Sequence, residues 1–220
     1  PSTSSAASDV YKRQHQYTLI LTIYNYYMAK LYFFYSTMNA GKSTALLQSN
    51  HNYSESNLKT LLFIPKDLGD KSDGKIISRI GLEADAIIVD NEYNFFNEIE
   101  KLNHKDVSCI FVDEAQFLSK EQVQSLGKVA DDLSIPVMCY GIRTDFQGQL
   151  FDGSKELLAI ADNLKELKTI CSMCEKKATM VVRLNQEGEV VLEGEKIVIG
   201  GNDIYKTLCR KHFRQLTKLI

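Results

Sequence analysis

The chain has 220 residues, 44% apolar and 25% charged, an ordinary globular composition that excludes overall disorder, a collagen-like repeat or a coiled coil. Its 26 Lys and Arg against 28 Asp and Glu give a formal net charge of -2, so no global basic excess advertises a nucleic-acid partner, and any polyanion has to be met at a local site. Five cysteines are an odd number, and their clustering with a histidine makes a poor disulfide framework and a better metal framework.

The chain opens on a stretch unlike the rest. Pro1 to Asp9 is Ser/Ala-rich without periodicity and reads as disordered. Leu19 to Tyr27 is apolar but short of the roughly 20 residues that a membrane span needs. Lys12 and Arg13 precede it, as before a signal-peptide core, yet no small-residue cleavage site follows. Asp9 to Gln14 (DVYKRQ) resembles the translation of a sequencing-adapter end. Met28 is therefore the expected start, residues 1–27 are read as an extraneous or disordered segment, and no membrane role is expected.

From Met28 onward the pattern is regular. Lys30 to Tyr35 is an apolar β-rich run, followed by Ser36 to Ser43 and then a helical stretch, Thr44 to Asn52. Lys59 to Ile64 is a second strand, and Pro65 to Lys75 a polar loop. Asp85 to Val89 reads as a third strand. Phe95, Phe96, Ile99 and Leu102 recur at helical spacing. Val107 to Val112 is a fourth strand ending in Asp113-Glu114. Ser119 with Gln122 is a capping-box signal ahead of a helical face on Val123, Leu126, Ala130 and Leu133. Pro136 to Tyr140 is a fifth strand. Apolar strands alternating with amphipathic helices predict an α/β fold, a parallel sheet covered on both faces, and the Ser36 to Ser43 turn between its first strand and helix makes it one of the P-loop kind. After about Leu164, short alternating runs (Ala178 to Leu184, Glu195 to Ile199) punctuated by glycines predict a small β-rich appendage built around the cysteines. The expected division is 28–163 for the α/β part and 164–220 for this appendage.

Three constellations carry chemistry. A phosphate loop needs inward backbone N–H groups, a lysine for the outer phosphates and a hydroxyl for Mg²⁺, set between a strand and a helix N-terminus. Ser36, Thr37, Met38, Asn39, Ala40, Gly41, Lys42 and Ser43 meet this, although Ser36 stands where the usual motif has its first glycine. Four apolar residues then deliver Asp113 to the carboxyl end of a strand, the edge where α/β sheets bind ligands. Asp113 with Ser43 is the expected Mg²⁺ neighbourhood, and Glu114, Ala115 and Gln116 follow. Glu114 is placed to act as a general base. Finally, Cys171 and Cys174 form a CxxC pair, and Cys209 and His212 a CxxH pair. Together they supply the four ligands of a closed structural zinc site. Cys109 and Cys139, inside apolar strands, are expected to be core thiols.

The strings YSTMNAGKSTALLQ, VDEAQFL, YGIRTDFQGQLF, LKTICSMC, VIGGNDIY and CRKH, in this order, resemble a type II thymidine kinase of the bacterial kind. The resemblance implies transfer of the γ-phosphate of ATP to the 5′-hydroxyl of thymidine or deoxyuridine, with Mg²⁺, a structural zinc, a homotetramer and a cytoplasmic location. By matching position, Glu114 takes the hydroxyl proton, and Met38, Phe117, Phe146 and Phe151 wall the nucleoside pocket. Lys196, Ile197, Val198, Ile199, Gly200 and Tyr205 become the segment over the base and sugar. The sequence departs from the family at Lys66 to Asp70, which lacks the Asp-x-Arg of many members. Arg79, Arg143 and Arg183 remain candidates for the missing charge. Two other readings compete: a phosphate-loop ATPase whose zinc knuckle binds nucleic acid or protein, and a redox module on Cys171 and Cys174.

Overall fold

The structure, a computed structural model, describes residues 29–70, 72–102, 104–195, 198 and 204–219. The N-terminal stretch 1–27 and the positions Lys196, Ile197, Ile199 and Gly200 lie outside the described residues.

Six strands form one sheet: β1 (Leu31–Ser36), β2 (Lys59–Pro65), β5 (Ile87–Val89), β6 (Val107–Val112), β7 (Val137–Ile142) and β8 (Asn163–Glu166), in the order β5-β2-β6-β7-β1-β8. Every pairing in it is parallel. Parallel neighbours need crossovers, and these are supplied by α1 (Lys42–Glu55), α2 (Phe95–Lys101), α3 (Lys120–Leu133) and α4 (Asp152–Ile160). Alternate residues of a strand point to opposite faces, so each interior strand feeds two cores. Ile110 and Val112 of β6 join Phe33, Phe95, Leu126 and Leu157 on one face. Cys109 and Phe111 join Leu46, Leu62, Ile76 and Tyr140 on the other. Near-continuous apolar strands are what a sheet covered on both sides requires.

Local signals behave as their chemistry dictates. The Ser119 side chain accepts the Gln122 N–H at 3.2 Å, and the Gln122 side chain accepts the Ser119 N–H at 3.0 Å, completing a capping box at the start of α3. The remaining Gln122 amide donates to the Asp90 carbonyl at 2.7 Å, so the cap also holds the chain leaving β5.

Two expectations need correcting, and one strand crosses an expected boundary. The stretch read as one strand, 85–89, is split: Glu83–Asp85 (β4) pairs antiparallel with Lys75–Ile77 (β3), whereas β5 joins the parallel sheet. The stretch read as a loop, 65–75, contains a helical turn at Lys66–Gly69 and ends on β3. Ile76 is fully buried in the second core, which anchors this hairpin beside the sheet. Finally, β8 straddles the division expected at 163/164: it pairs with β1, so the parallel sheet runs through Glu166.

Beyond it, β9 (Thr169–Ile170) pairs with β10 (Lys177–Ala178), and β11 (Met180–Leu184) lies between β12 (Val190–Val191) and β13 (Tyr205–Leu208). Helix α5 (Arg210–Thr217) closes this part. Its own core is small: Met180, Val182, Leu184, Leu208 and Phe213 with Cys171 and Cys209. Among the described residues no helix is long and apolar enough to cross a membrane.

Candidate active site

The carboxyl ends of the parallel strands meet on one edge, with β7 between β1 and β6. The chain turns from β1 into α1 through Ser36–Gly41. Asn39 and Gly41 adopt left-handed φ values of 61° and 70°, and Gly41 is the N-cap of α1. A glycine there costs little in that conformation. The turn leaves the free N–H groups of α1 facing the space in front of the sheet, where an anion is favoured. Lys42 is buried and folds back so that its Nζ donates to the Thr37 carbonyl at 3.0 Å. Burial lowers the Lys42 pKa from 10.5, Glu114 and Asp113 pull it back up, and Arg79 lowers it again.

Asp113 leaves the end of β6 and is 3% exposed. Its Oδ2 accepts the Ser43 hydroxyl at 2.7 Å, and its Oδ1 accepts the Glu114 N–H at 3.0 Å. Burial, together with the Glu114 charge, raises its pKa to about 7 against the pull of those two hydrogen bonds and of Lys42. The Ser43 hydroxyl and the Asp113 carboxylate present the hard oxygens that suit magnesium, in contact with each other at the foot of the phosphate turn.

Glu114 sits at φ 50°, a left-handed conformation uncommon outside glycine. Its Oε2 accepts the Gln116 side-chain amide at 2.5 Å, and the other end of that amide accepts the Ile142 N–H at 3.0 Å. Gln116 therefore ties the Glu114 carboxylate to the end of β7. The tie needs Gly141, because a Cβ there would lie 2.8 Å from the Gln116 Oε1.

These groups open onto a cavity of about 470 Å³. Its lining includes Met38, Asn39, Ala40, Gly41, Lys42 and Ser43 of the phosphate turn, Glu114 and Gln116, and Phe117, Phe146, Phe151, Val198 and Tyr205. Phe117 and Phe151 meet edge to face, with ring centroids 5.6 Å apart. The Tyr205 hydroxyl donates to the Val198 carbonyl at 2.8 Å. Four residues expected at the ATP site are absent from the cavity wall. Ser36 donates its hydroxyl to Leu167 O at 2.7 Å, Thr37 donates to Met180 O at 3.1 Å, Ala115 is packed in the first core, and Asp113 reaches the site through Ser43.

Sequence reasoning missed Thr44, Leu68, Ile77, Ser78, Ile80, Ile142, Asp145 and Val181, all in the wall. Of the three arginines left open, Arg79 alone lines the cavity. Arg143 instead donates to Thr179 O at 3.1 Å, and Arg183 to Glu195 O at 2.6 Å.

On the second part of the chain, Cys171, Cys174, Cys209 and His212 bring their ligand atoms within 4.8 Å of one another. The Cys171 and Cys209 sulfurs each lie 3.4 Å from His212 Nδ1, and the Cys174 and Cys209 sulfurs are 3.9 Å apart. A tetrahedron with metal–sulfur bonds near 2.3 Å has sulfur–sulfur edges of roughly 3.8 Å, so the set fits a four-coordinate metal ion. Burial opposes ionisation of Cys171, but hydrogen bonds from the Cys209 backbone and His212 lower its pKa to about 6, toward the thiolate a metal needs.

A parallel sheet with an anion-binding turn after one strand and an acid pair after another defines a phosphate-loop nucleotide-binding protein, and the Lys42–Ser43–Asp113–Glu114 group is the equipment of a phosphotransferase. Comparison with known proteins narrows the class. The thymidine kinase family model matches residues 29–213, and the chain belongs to that family. The thymidine kinase of Haemophilus influenzae is 57% identical over 189 residues, covering 86% of this chain and 97% of its own. Those of Mannheimia succiniciproducens and Rhodopirellula baltica are 54% and 52% identical, covering 97% and 89% of their own lengths.

Proposed function

We propose that this chain transfers the γ-phosphoryl group of ATP to the 5′-hydroxyl of thymidine or deoxyuridine. The observation that carries the reading is the shared cavity, which a phosphate turn with Lys42, the Glu114 carboxylate and a group of aromatic rings line together. A planar, half-apolar base wants aromatic walls with a few fixed polar groups. A triphosphate wants backbone N–H groups and fixed cations.

In this reading the triphosphate lies along Met38–Ser43, with Lys42 at its outer phosphates. Ser43 and Asp113 are the residues that would hold the magnesium accompanying ATP, which would supply neutralisation of phosphate charge there. The nucleoside stacks among Phe117, Phe146, Phe151 and Tyr205, with Met38 at the junction. Glu114 accepts the 5′-hydroxyl proton as the new oxygen–phosphorus bond forms, and the bond from the γ-phosphorus to the β–γ bridging oxygen breaks to release ADP. Gln116 holds the Glu114 carboxylate by one amide arm, which supports a positioning part for it in place of direct ATP contact. Arg79, facing the cavity from the β3–β4 hairpin, supplies the charge that residues 66–70 lack. The Cys171, Cys174, Cys209 and His212 set would hold a structural zinc, since three thiolates and an imidazole would leave no open position. A redox use of Cys171 and Cys174 does not account for Cys209 and His212 in the same cluster. A homotetramer and a cytoplasmic location complete the reading by family resemblance.

The test is Glu114→Gln. ATP and thymidine binding, measured by titration calorimetry, should persist, while turnover falls by roughly 100-fold or more. Unchanged turnover would remove Glu114 as the base.

A further inference from the structure

Arg183 is a buried cation. It is 7% exposed, in the middle strand of the three-stranded sheet, opposite Val191 and Tyr205. Among the described residues it forms no ion pair. A buried guanidinium is costly unless its donors are met, so the groups that meet them show what it holds. Its Nη1 donates to Glu195 O at 2.6 Å and its Nη2 approaches Glu193 O at 3.5 Å. Its plane lies over the Phe146 ring, with Cζ 4.0 Å from the centroid. Gly194, between the two carbonyls, has φ +127°, and a Cβ there would stand 2.7 Å from Nη2. A side chain at 194 would push the guanidinium off the segment it binds.

The ring under the guanidinium belongs to the cavity wall. Its backbone is fixed as well: Asp145 Oδ1 accepts the N–H groups of Gln147 and Gln149, both at 2.9 Å, and Asp145 N donates to Gln149 O at 2.8 Å. The Gln147 side chain donates to Leu192 O at 2.8 Å. The turn carrying Phe146 and the segment 192–195 are thus joined twice, once by Gln147 at the surface and once by Arg183 inside.

We infer that Arg183 is a positioning residue for nucleoside recognition: from behind the cavity wall it fixes the Phe146 ring and locks the turn 145–149 to the segment 193–195. The inference rests on reading Phe146 as a nucleoside wall. A ring held in place before binding spares the nucleoside the cost of ordering it. Lysine is a poor replacement, because a flat fork is needed to cover a ring and reach two carbonyls at once.

The test uses the full chain, metal-loaded, in four variants: R183M, R183K, F146L and R183M/F146L. Steady-state kinetics with thymidine and with ATP are read separately. R183M should raise the thymidine KM by roughly tenfold, with the ATP KM within about twofold and kcat falling less than KM rises. R183K should recover only part of the loss. F146L should raise the thymidine KM by itself, and R183M should add little in the F146L background, because the arginine acts through that ring. A thymidine KM unmoved in R183M, an equal rise for ATP, or a full additional loss in the double variant overturns the inference. If both Arg183 variants lose their folded melting transition, the role is structural and the inference also falls. If F146L leaves the thymidine KM unchanged while Glu114→Gln abolishes turnover, the fault lies in the nucleoside-wall reading and the phosphate half of the site stands.

Discussion

Asp113 shows how a single buried acid is balanced. The unfolded chain loses this proton near 3.8, while burial beside Glu114 lifts the folded value to about 7. Over that window the folded state holds a proton the unfolded state has released, so stability falls as pH rises. The contribution is fully present below the unfolded value and lost as pH passes through the folded one. Melting of the zinc-loaded protein without magnesium or nucleotide should therefore decline as pH rises from 5 toward 7, and Asp113→Asn should flatten the decline; parallel profiles for the two proteins would refute this account. Asp113 and Ser43 were legible in sequence because a strand end and a phosphate turn have fixed patterns. The Gln116 link was not, because its amide answers Glu114 two residues away and Ile142 on a neighbouring strand. Nor was the left-handed turn at Glu114, which costs about 1–3 kcal/mol for a non-glycine residue and is held by contacts that only the tertiary fold supplies. Arg183 stood in sequence as one of three equivalent cations, and only its stacking on Phe146 separates it from the others.

At the level of elements, the long apolar strands and the capped helix α3 were readable because each carries its own period or cap. The β3–β4 hairpin was not, since three-residue strands are too short to show alternation. Its stability comes from elsewhere: Ile76 is buried in the second core, the Leu82 N–H bonds to Ser78 Oγ at 2.9 Å, and Ser78 N donates to Leu82 O at 2.8 Å. This places Arg79 at the hairpin tip, on the cavity that holds Lys42 and Glu114. Preorganised cations of this kind act on the charge developing during transfer. Arg79→Ala should reduce kcat by about 100-fold with little change in the thymidine KM, and Arg79→Lys should restore part of it. A kcat equal to the parent's in Arg79→Ala would return the charge to some other group.

For the molecule as a whole, the decisive feature is that two unequal parts, one with two cores and one with a single small core, are joined beside the site. The parallel sheet has apolar residues on both faces, whereas the part carrying the Cys171, Cys174, Cys209 and His212 set has one small cluster that contains two of those cysteines. So small a core rarely folds without a staple, and a metal ion bound by that set would contribute folding energy. The two parts are joined at the phosphate turn, where Thr37 donates to Met180 O at 3.1 Å and Thr169 to Asn39 O at 3.2 Å, and after β7, where Arg143 donates to Thr179 O at 3.1 Å. Loss of the metal should therefore loosen β11 and β13, which carry Val181 and Tyr205 into the cavity, while the six-stranded sheet persists. Treatment with a strong chelator should remove thymidine binding and weaken ATP binding less, with most of the far-ultraviolet dichroism retained, and added zinc should restore both. A chelated protein, shown to be metal-free, that still binds thymidine with its original affinity would mean that this part folds on its small core alone and that the Cys171, Cys174, Cys209 and His212 set has no structural duty.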